Sequence, residues 1–163
     1  MKKLIALFAL GSVAALAQDP AIAAMKKHWN ISKTFTLAVA NAMPDANYSF
    51  KATPEEMSFG EMVVHIAQGN GSYCSRASGM KSPIAKPATI DEASAMKVVA
   101  QSFDFCLEAL SGTTDLNKMM GREGSQSAVG ELFMGGFTHT AHHRGQLEVY
   151  LRLKGIKPPD YQF

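Results

Sequence analysis

The chain of 163 residues is short of charge: Asp, Glu, Lys and Arg make up only 18%, and 16 basic against 14 acidic side chains leave a formal net charge of +2. That balance supplies no basic patch or stripe of the kind nucleic-acid binding requires, so no nucleic-acid partner is expected. Cysteine is scarce too: only Cys74 and Cys106 are present, with no C-x-x-C spacing to suggest a zinc ribbon. No segment alternates apolar and polar residues over strand length beside a hairpin signal, so no sheet is expected. A mean hydropathy of −0.03 excludes a multi-span membrane protein. Apolar residues, by contrast, make up 47% of the chain, enough to bury a core in a length that suits one domain.

The N-terminus departs from this composition. Lys2 and Lys3 precede an apolar run of 14 residues over 4–17, and Ala15-Leu16-Ala17 ends it with a small-residue cleavage pattern. This reads as a signal peptide over residues 1–17, cleaved after Ala17, with periplasmic or secreted localisation and a single mature domain over 18–163. The run is short for a spanning helix of about 20 residues; an uncleaved anchor is the alternative, and after cleavage no stable membrane span remains. No cysteine follows the small residues to carry a lipid. Losing Lys2 and Lys3 leaves the mature chain without formal net charge. In an oxidising compartment Cys74 and Cys106 have two readings: a disulfide, or two small buried hydrophobes on neighbouring helices.

Apolar residues recur with the helical period four times, which predicts an all-α four-helix bundle. The first helix is expected from Pro20 to Met43, with Met25, Trp29, Ser32, Phe35, Val39 and Met43 on one face and Pro44-Asp45 ending it. Ser58 and Glu61 form a capping-box pattern that opens a second helix carrying Met62, Ile66 and Tyr73 and fraying near Gly79. Thr89 and Glu92 repeat the pattern before a third helix with Met96, Val99, Phe103, Cys106 and Leu110, closed by Gly112. After the polar stretch 112–126, Ser127 is the expected cap of a fourth helix running to Lys154, with Gly155 as its stop. The long first and third connections leave a plain up-down-up-down order open.

Three of the 5 histidines crowd into residues 139–143. His139 and His143 are one turn apart and about 40° apart in projection, so their imidazoles can meet one cation. The zinc motif HExxH uses that spacing, but no glutamate stands beside His139, and the metalloprotease reading fails at its general base. A divalent ion needs at least a third protein ligand, and His65 on the second helix is the candidate, because bundle sites are built from facing helices. Three neutral imidazoles and an open position form a catalytic type of site, which zinc, nickel or iron would each accept. Gln146 shares the face of His139 and His143 and is expected to orient the ion's remaining ligand. Arg144 has two roles open, an anion contact or a helix-surface salt bridge. His142 reads as a supporting or surface residue, and His28 as a half-exposed one. Cys74 lies about 180° round the helix from His65, so a ligand role for one conflicts with the other. The plain alternative for the histidines is a hydrogen-bonded core role, and no carboxylate has a spacing that marks it as general base.

Four stretches together resemble a known family: 43–50 (Met43 to Phe50), 58–66 (Ser58 to Ile66), 139–146 (His139 to Gln146) and 150–155 with Pro158, Pro159 and Tyr161. In this order they are similar to the DinB-type (DinB/YfiT-like) metalloenzymes, over about residues 20–163. The resemblance implies a four-helix bundle with one metal-binding histidine on the second helix and two at HxxxH on the last, the second followed by Arg-Gly-Gln. These positions fall on His65, His139 and His143. Characterised relatives include thiol-dependent S-transferases and isomerases. The expectation is therefore an exported, metal-dependent hydrolase or transferase of an unidentified small-molecule substrate. A thiol-dependent S-transferase and a non-enzymatic metal- or ligand-binding stress protein are the alternatives, and a homodimer through helix faces is compatible with each.

Overall fold

The computed structural model describes residues 19–162; the expected signal peptide and its cleavage point lie outside the described residues. Helix α1 runs Pro20–Asn41, with Asp19 accepting the Ala21 N–H at 2.8 Å and Pro20 at the first helical position, where no backbone donor is needed. It stops short of the expected Met43, because the residue before a proline is disfavoured in helical backbone. Met43 is nevertheless fully buried in the core.

Helix α2, Phe59–Ser78, begins with the expected capping box: Ser58 Oγ accepts the Glu61 N–H at 3.2 Å, and the Glu61 carboxylate accepts the Ser58 N–H at 2.7 Å. Helix α3, Glu92–Ser111, does not use Thr89 as its cap. Asp91 accepts the Ser94 N–H at 2.8 Å and Ser94 Oγ accepts the Asp91 N–H at 3.1 Å, so the box is shifted two residues along. A carboxylate there also suits the positive end of the helix dipole better than a hydroxyl.

The polar stretch before the last helix holds an unexpected antiparallel hairpin, β1 (Met119–Arg122) and β2 (Ser125–Ala128), with Arg122 paired to Ser125. Its strands are too polar and short to show an alternating pattern. The strand pairing depends on Gly121 in β1, whose φ of 125° belongs to glycine and whose Cβ would meet the Ser125 carbonyl oxygen at 2.6 Å. Ser127, the expected cap, is spent in β2. Helix α4, Val129–Leu153, starts after Ala128 with no side-chain cap. Its first donors find backbone carbonyls instead: Val129 N–H to Lys118 O at 2.9 Å and Gly130 N–H to Leu116 O at 2.8 Å.

Helix α2 packs on α3 and α4, and α1 packs on the same two, so α1 and α2 stand diagonally opposite. Around the bundle the order is α1–α3–α2–α4. The two long connections are the two that cross a diagonal, and the shorter one joins the neighbours α2 and α3. The first crossing is fastened by Tyr48, buried and donating to Ala40 O at 3.0 Å, and by Tyr150, which donates to Met57 O at 2.8 Å. The core is aromatic around Trp29, which meets Phe103 and Phe137 edge-on at 5.9 and 6.2 Å. Among the described residues no helix is long and apolar enough to cross a membrane.

Of the two readings for the cysteines, the structure has the disulfide: Cys74 and Cys106 are joined across α2 and α3, with Cα atoms 5.3 Å apart and both residues fully buried. A cross-link over a separation of 32 residues restricts the unfolded chain by about 3–4 kcal/mol in the loop-entropy account. Chemical denaturation with and without reductant checks this: reduction, or Cys106→Ser, is expected to lower stability by about 2–4 kcal/mol while the helical circular dichroism persists.

Candidate metal centre

Helices α2 and α4 lie side by side, and each delivers imidazoles to one point between them. His65 comes from the middle of α2; His139 and His143 come from successive turns of α4. His65 Nε2 lies 3.1 Å from His143 Nε2 and 3.1 Å from His139 Nε2, and the three rings are half-buried. Ring centroids are 4.5 to 4.9 Å apart. The close approach rests on Gly69, one turn after His65, because a Cβ there would strike the His139 ring.

Hydrogen bonding alone does not satisfy this cluster. Gln146 Oε1 is 2.7 Å from His143 Nδ1, so we assign the proton of His143 to Nδ1, which leaves its Nε2 lone pair facing the centre. One hydrogen on His65 Nε2 can be directed at His143 or at His139, not at both. A single cation meets all three lone pairs at once. The 3.1 Å spacing is near the edge of about 3.3 Å expected for nitrogens held at about 2.0 Å around a tetrahedral ion. A group of three histidines able to hold a metal ion is thus assembled from His65, His139 and His143. His139 Nδ1 is buried and has no partner among the described residues.

Burial pushes the His139 imidazole down to about 4, helped by the charge that His143, His65 and His142 would carry. Burial also lowers His143, against the opposing hydrogen bond from Gln146. Both shifts keep the rings neutral at pH 7, the state in which imidazole ligates metal.

The remaining candidates are placed as follows. Gln146 bonds to the His143 ring, rather than standing free to orient a further ligand. His142 is exposed and sits edge-on against His143 at 4.8 Å, outside the convergence point. The surface salt bridge considered for Arg144 does not form: the side chain is 7% exposed and turns towards α1, where it donates to Ser32 Oγ at 3.0 Å. His28 is half-buried on α1 and lines a cavity on that same side. Cys74 is committed to the disulfide.

Sequence reasoning missed the polar chain behind the histidines. Thr140 donates to Asn70 Oδ1 at 2.8 Å, Asn70 Nδ2 donates to Ser102 Oγ at 3.2 Å, and Ser102 donates to Val99 O at 2.7 Å. All three side chains are fully buried, and they tie α2, α3 and α4 together beside His139. The available signal was polar residues recurring on the apolar faces of three helices. A cavity of about 170 Å³ opens beside His65 between Met57, Val64 and Ile90, with Glu61 and Lys86 in its wall. Glu61 is no free base there: the Ser58 backbone N–H holds its carboxyl below the usual range.

A family model described as the DinB family matches residues 18–163. Among solved structures, a DinB-like protein from Bacillus cereus is 21% identical with a TM-score of 0.75, covering 86% of this chain and 97% of its own. The DinB-like protein YjoA from Bacillus subtilis is 23% identical with a TM-score of 0.72, covering 85% and 97%. Both share the fold of this chain. No curated protein matches it.

Two outcomes follow from this geometry. Gln146→Leu removes the acceptor that fixes His143 and is expected to weaken metal binding about 10–100-fold, as read by competition with a chelating dye, with the melting curve of the metal-free protein little changed. His139 takes a proton near 6.5 when unfolded but only near 4 when folded. The unfolded state therefore binds more protons between these values, and stability of the metal-free protein falls as pH drops from about 6.5 towards 4. Urea midpoints across that range are expected to decline less steeply in His139→Gln.

Proposed function

The chain belongs to the DinB family, and on that premise we propose that it is a metal-dependent enzyme, a hydrolase or transferase of a small molecule, with His65, His139 and His143 as the ligands of one divalent transition metal. The observation that carries this reading is the convergence of three Nε2 atoms on one point, with Gln146 fixing the outer nitrogen of His143. Three protein ligands are what catalytic zinc sites use, because a position is left for water or substrate.

When bound, such an ion supplies Lewis acidity, lowering the pKa of a water or thiol presented to it. The chain supplies the rest. Gln146 holds the His143 ring in one tautomer, and Gly69 with the Thr140–Asn70 bond sets the distance between α2 and α4. The cavity beside His65 offers apolar contact from Met57, Val64 and Ile90 to the body of a substrate. Lys86 and the ionised Glu61 give that cavity two fixed charges of opposite sign.

Export to the periplasm or beyond is part of the proposal. It rests on the charged and apolar pattern of residues 1–17 and agrees with a disulfide, which persists in oxidising compartments.

Elemental mass spectrometry of the purified protein, beside His143→Ala, tests the site. Near-stoichiometric transition metal in the wild type and its loss in the variant are expected. That ion then defines the form to assay against esters, amides, phosphoesters and thiol acceptors. No metal after incubation with zinc, nickel and iron would return the histidines to a core role. Bound metal with no turnover in any of these assays would make the protein a metal carrier.

A further inference from the structure

The α1-facing side of α4 carries a charge that the metal centre does not use. Arg144 is 7% exposed, and a guanidinium stays protonated in proteins, so a cation is held in the bundle. Buried charges are normally paired, yet among the described residues no carboxylate lies within ion-pair distance of this one; Glu148 favours its charge only from further off. Glu148, one turn on, contacts Arg152 at 3.9 Å, and Asp160 contacts Lys157 at 3.3 Å. Phe35 covers one face of the guanidinium, 4.5 Å from its centre.

The acceptors that do reach it are hydroxyls, and both meet the same nitrogen: Nη1 donates to Ser32 Oγ at 3.0 Å and to Thr36 Oγ1 at 3.4 Å. Among the described residues Nε and Nη2 have no hydrogen-bond acceptor. Arg144 and Ser32 line a cavity of about 70 Å³ whose other walls include Ile31, Phe137 and Tyr161. That volume exceeds what one water needs and is far below the roughly 300 Å³ of a drug-sized pocket. Ser32 accepts from Arg144 through its oxygen and keeps its own hydrogen to donate.

We propose that Arg144 and Ser32 form a binding site for one compact monovalent anion, chloride or the carboxylate of a small acid, on the α1 side of α4. The anion lies at the uncovered edge of the guanidinium, taking hydrogen bonds from Nε or Nη2 and from the Ser32 hydroxyl. It supplies a counter-charge that no described carboxylate provides in contact, and it couples α1 to α4. The site faces α1 whereas the histidines face α2, so it does not depend on the metal reading.

Thermal unfolding at constant ionic strength tests the proposal, with sodium HEPES replaced stepwise by chloride, formate or acetate. The wild type is expected to gain a few degrees in Tm, saturating with anion concentration. Ser32→Ala is expected to raise the half-saturating concentration roughly tenfold, and Arg144→Met to abolish the effect, with metal content equal to wild type in both. Tighter saturation by chloride identifies an inorganic ion; tighter saturation by formate or acetate identifies a carboxylate ligand. Bromide-soaked crystals should show an anomalous peak beside Arg144 Nε or Nη2, which keeps the test decisive if Arg144→Met does not fold. No saturating shift in the wild type, an equal shift in Ser32→Ala, or bromide only elsewhere would overturn the site.

Discussion

The candidate centre depends on how closely α2 and α4 can approach. Three imidazoles from two helices meet at one point only if both backbones come near, and glycine makes that possible on each side. Gly69 of α2 leaves room for the His139 ring, while Gly135 of α4 lies so close to Tyr73 that a Cβ would meet its ring at 2.7 Å. The Thr140–Asn70 hydrogen bond then holds the pair from inside the core, at 2.8 Å. The disulfide and the Asn70–Ser102 contact fasten α2 to α3 on its other side. Helix α2 is thus braced on both sides, at Asn70 and Cys74, in the turns that follow His65.

Much of this architecture was legible because it follows from periodicity and capping. The first-helix face with Trp29, Phe35 and Val39 is buried as read, and so is the third with Val99, Phe103, Cys106 and Leu110. The capping box at Ser58 and Glu61 is present, because it involves only residues three apart. The convergence of His65 with His139 and His143 was legible from the HxxxH spacing and from the resemblance to a known family. The errors lie where long-range contacts decide. The cap of α3 moved from Thr89 to Asp91, where a carboxylate outcompetes a hydroxyl, and Asp45 also reaches across from the first connection to accept the Glu92 N–H at 2.8 Å. Ser127 lost its capping role to strand pairing and to carbonyls of the preceding connection. Arg144, a charged residue beside His143, gave no sign of burial, since the groups that receive it, the Ser32 and Thr36 hydroxyls and the Phe35 ring, lie on another helix.

Helix α4 has work on two sides. One side presents His139, Thr140 and His143 to α2; another presents Arg144 to α1, with Leu147 and Leu151 buried further along. Polar groups on buried faces dilute the apolar stripe that ordinarily marks a bundle helix. Each such group costs stability unless partnered, so the partners are as much a part of the helix design as its leucines. Residues adjacent in the sequence, such as His143 and Arg144, accordingly serve different neighbours.

The diagonal placement of α1 and α2 also has a consequence for assembly. Among the described helices only α2 and α3 are both consecutive and adjacent, so theirs is the helical hairpin that can close through contacts local in the chain. Local contacts form early at small entropic cost, and contacts between distant segments form late. His65 is carried on that early hairpin, whereas His139 and His143 arrive with α4, which follows it in the chain. The three-nitrogen cluster therefore exists only once α4 has docked on α2: until then the hairpin presents the imidazole of His65 without its two partners.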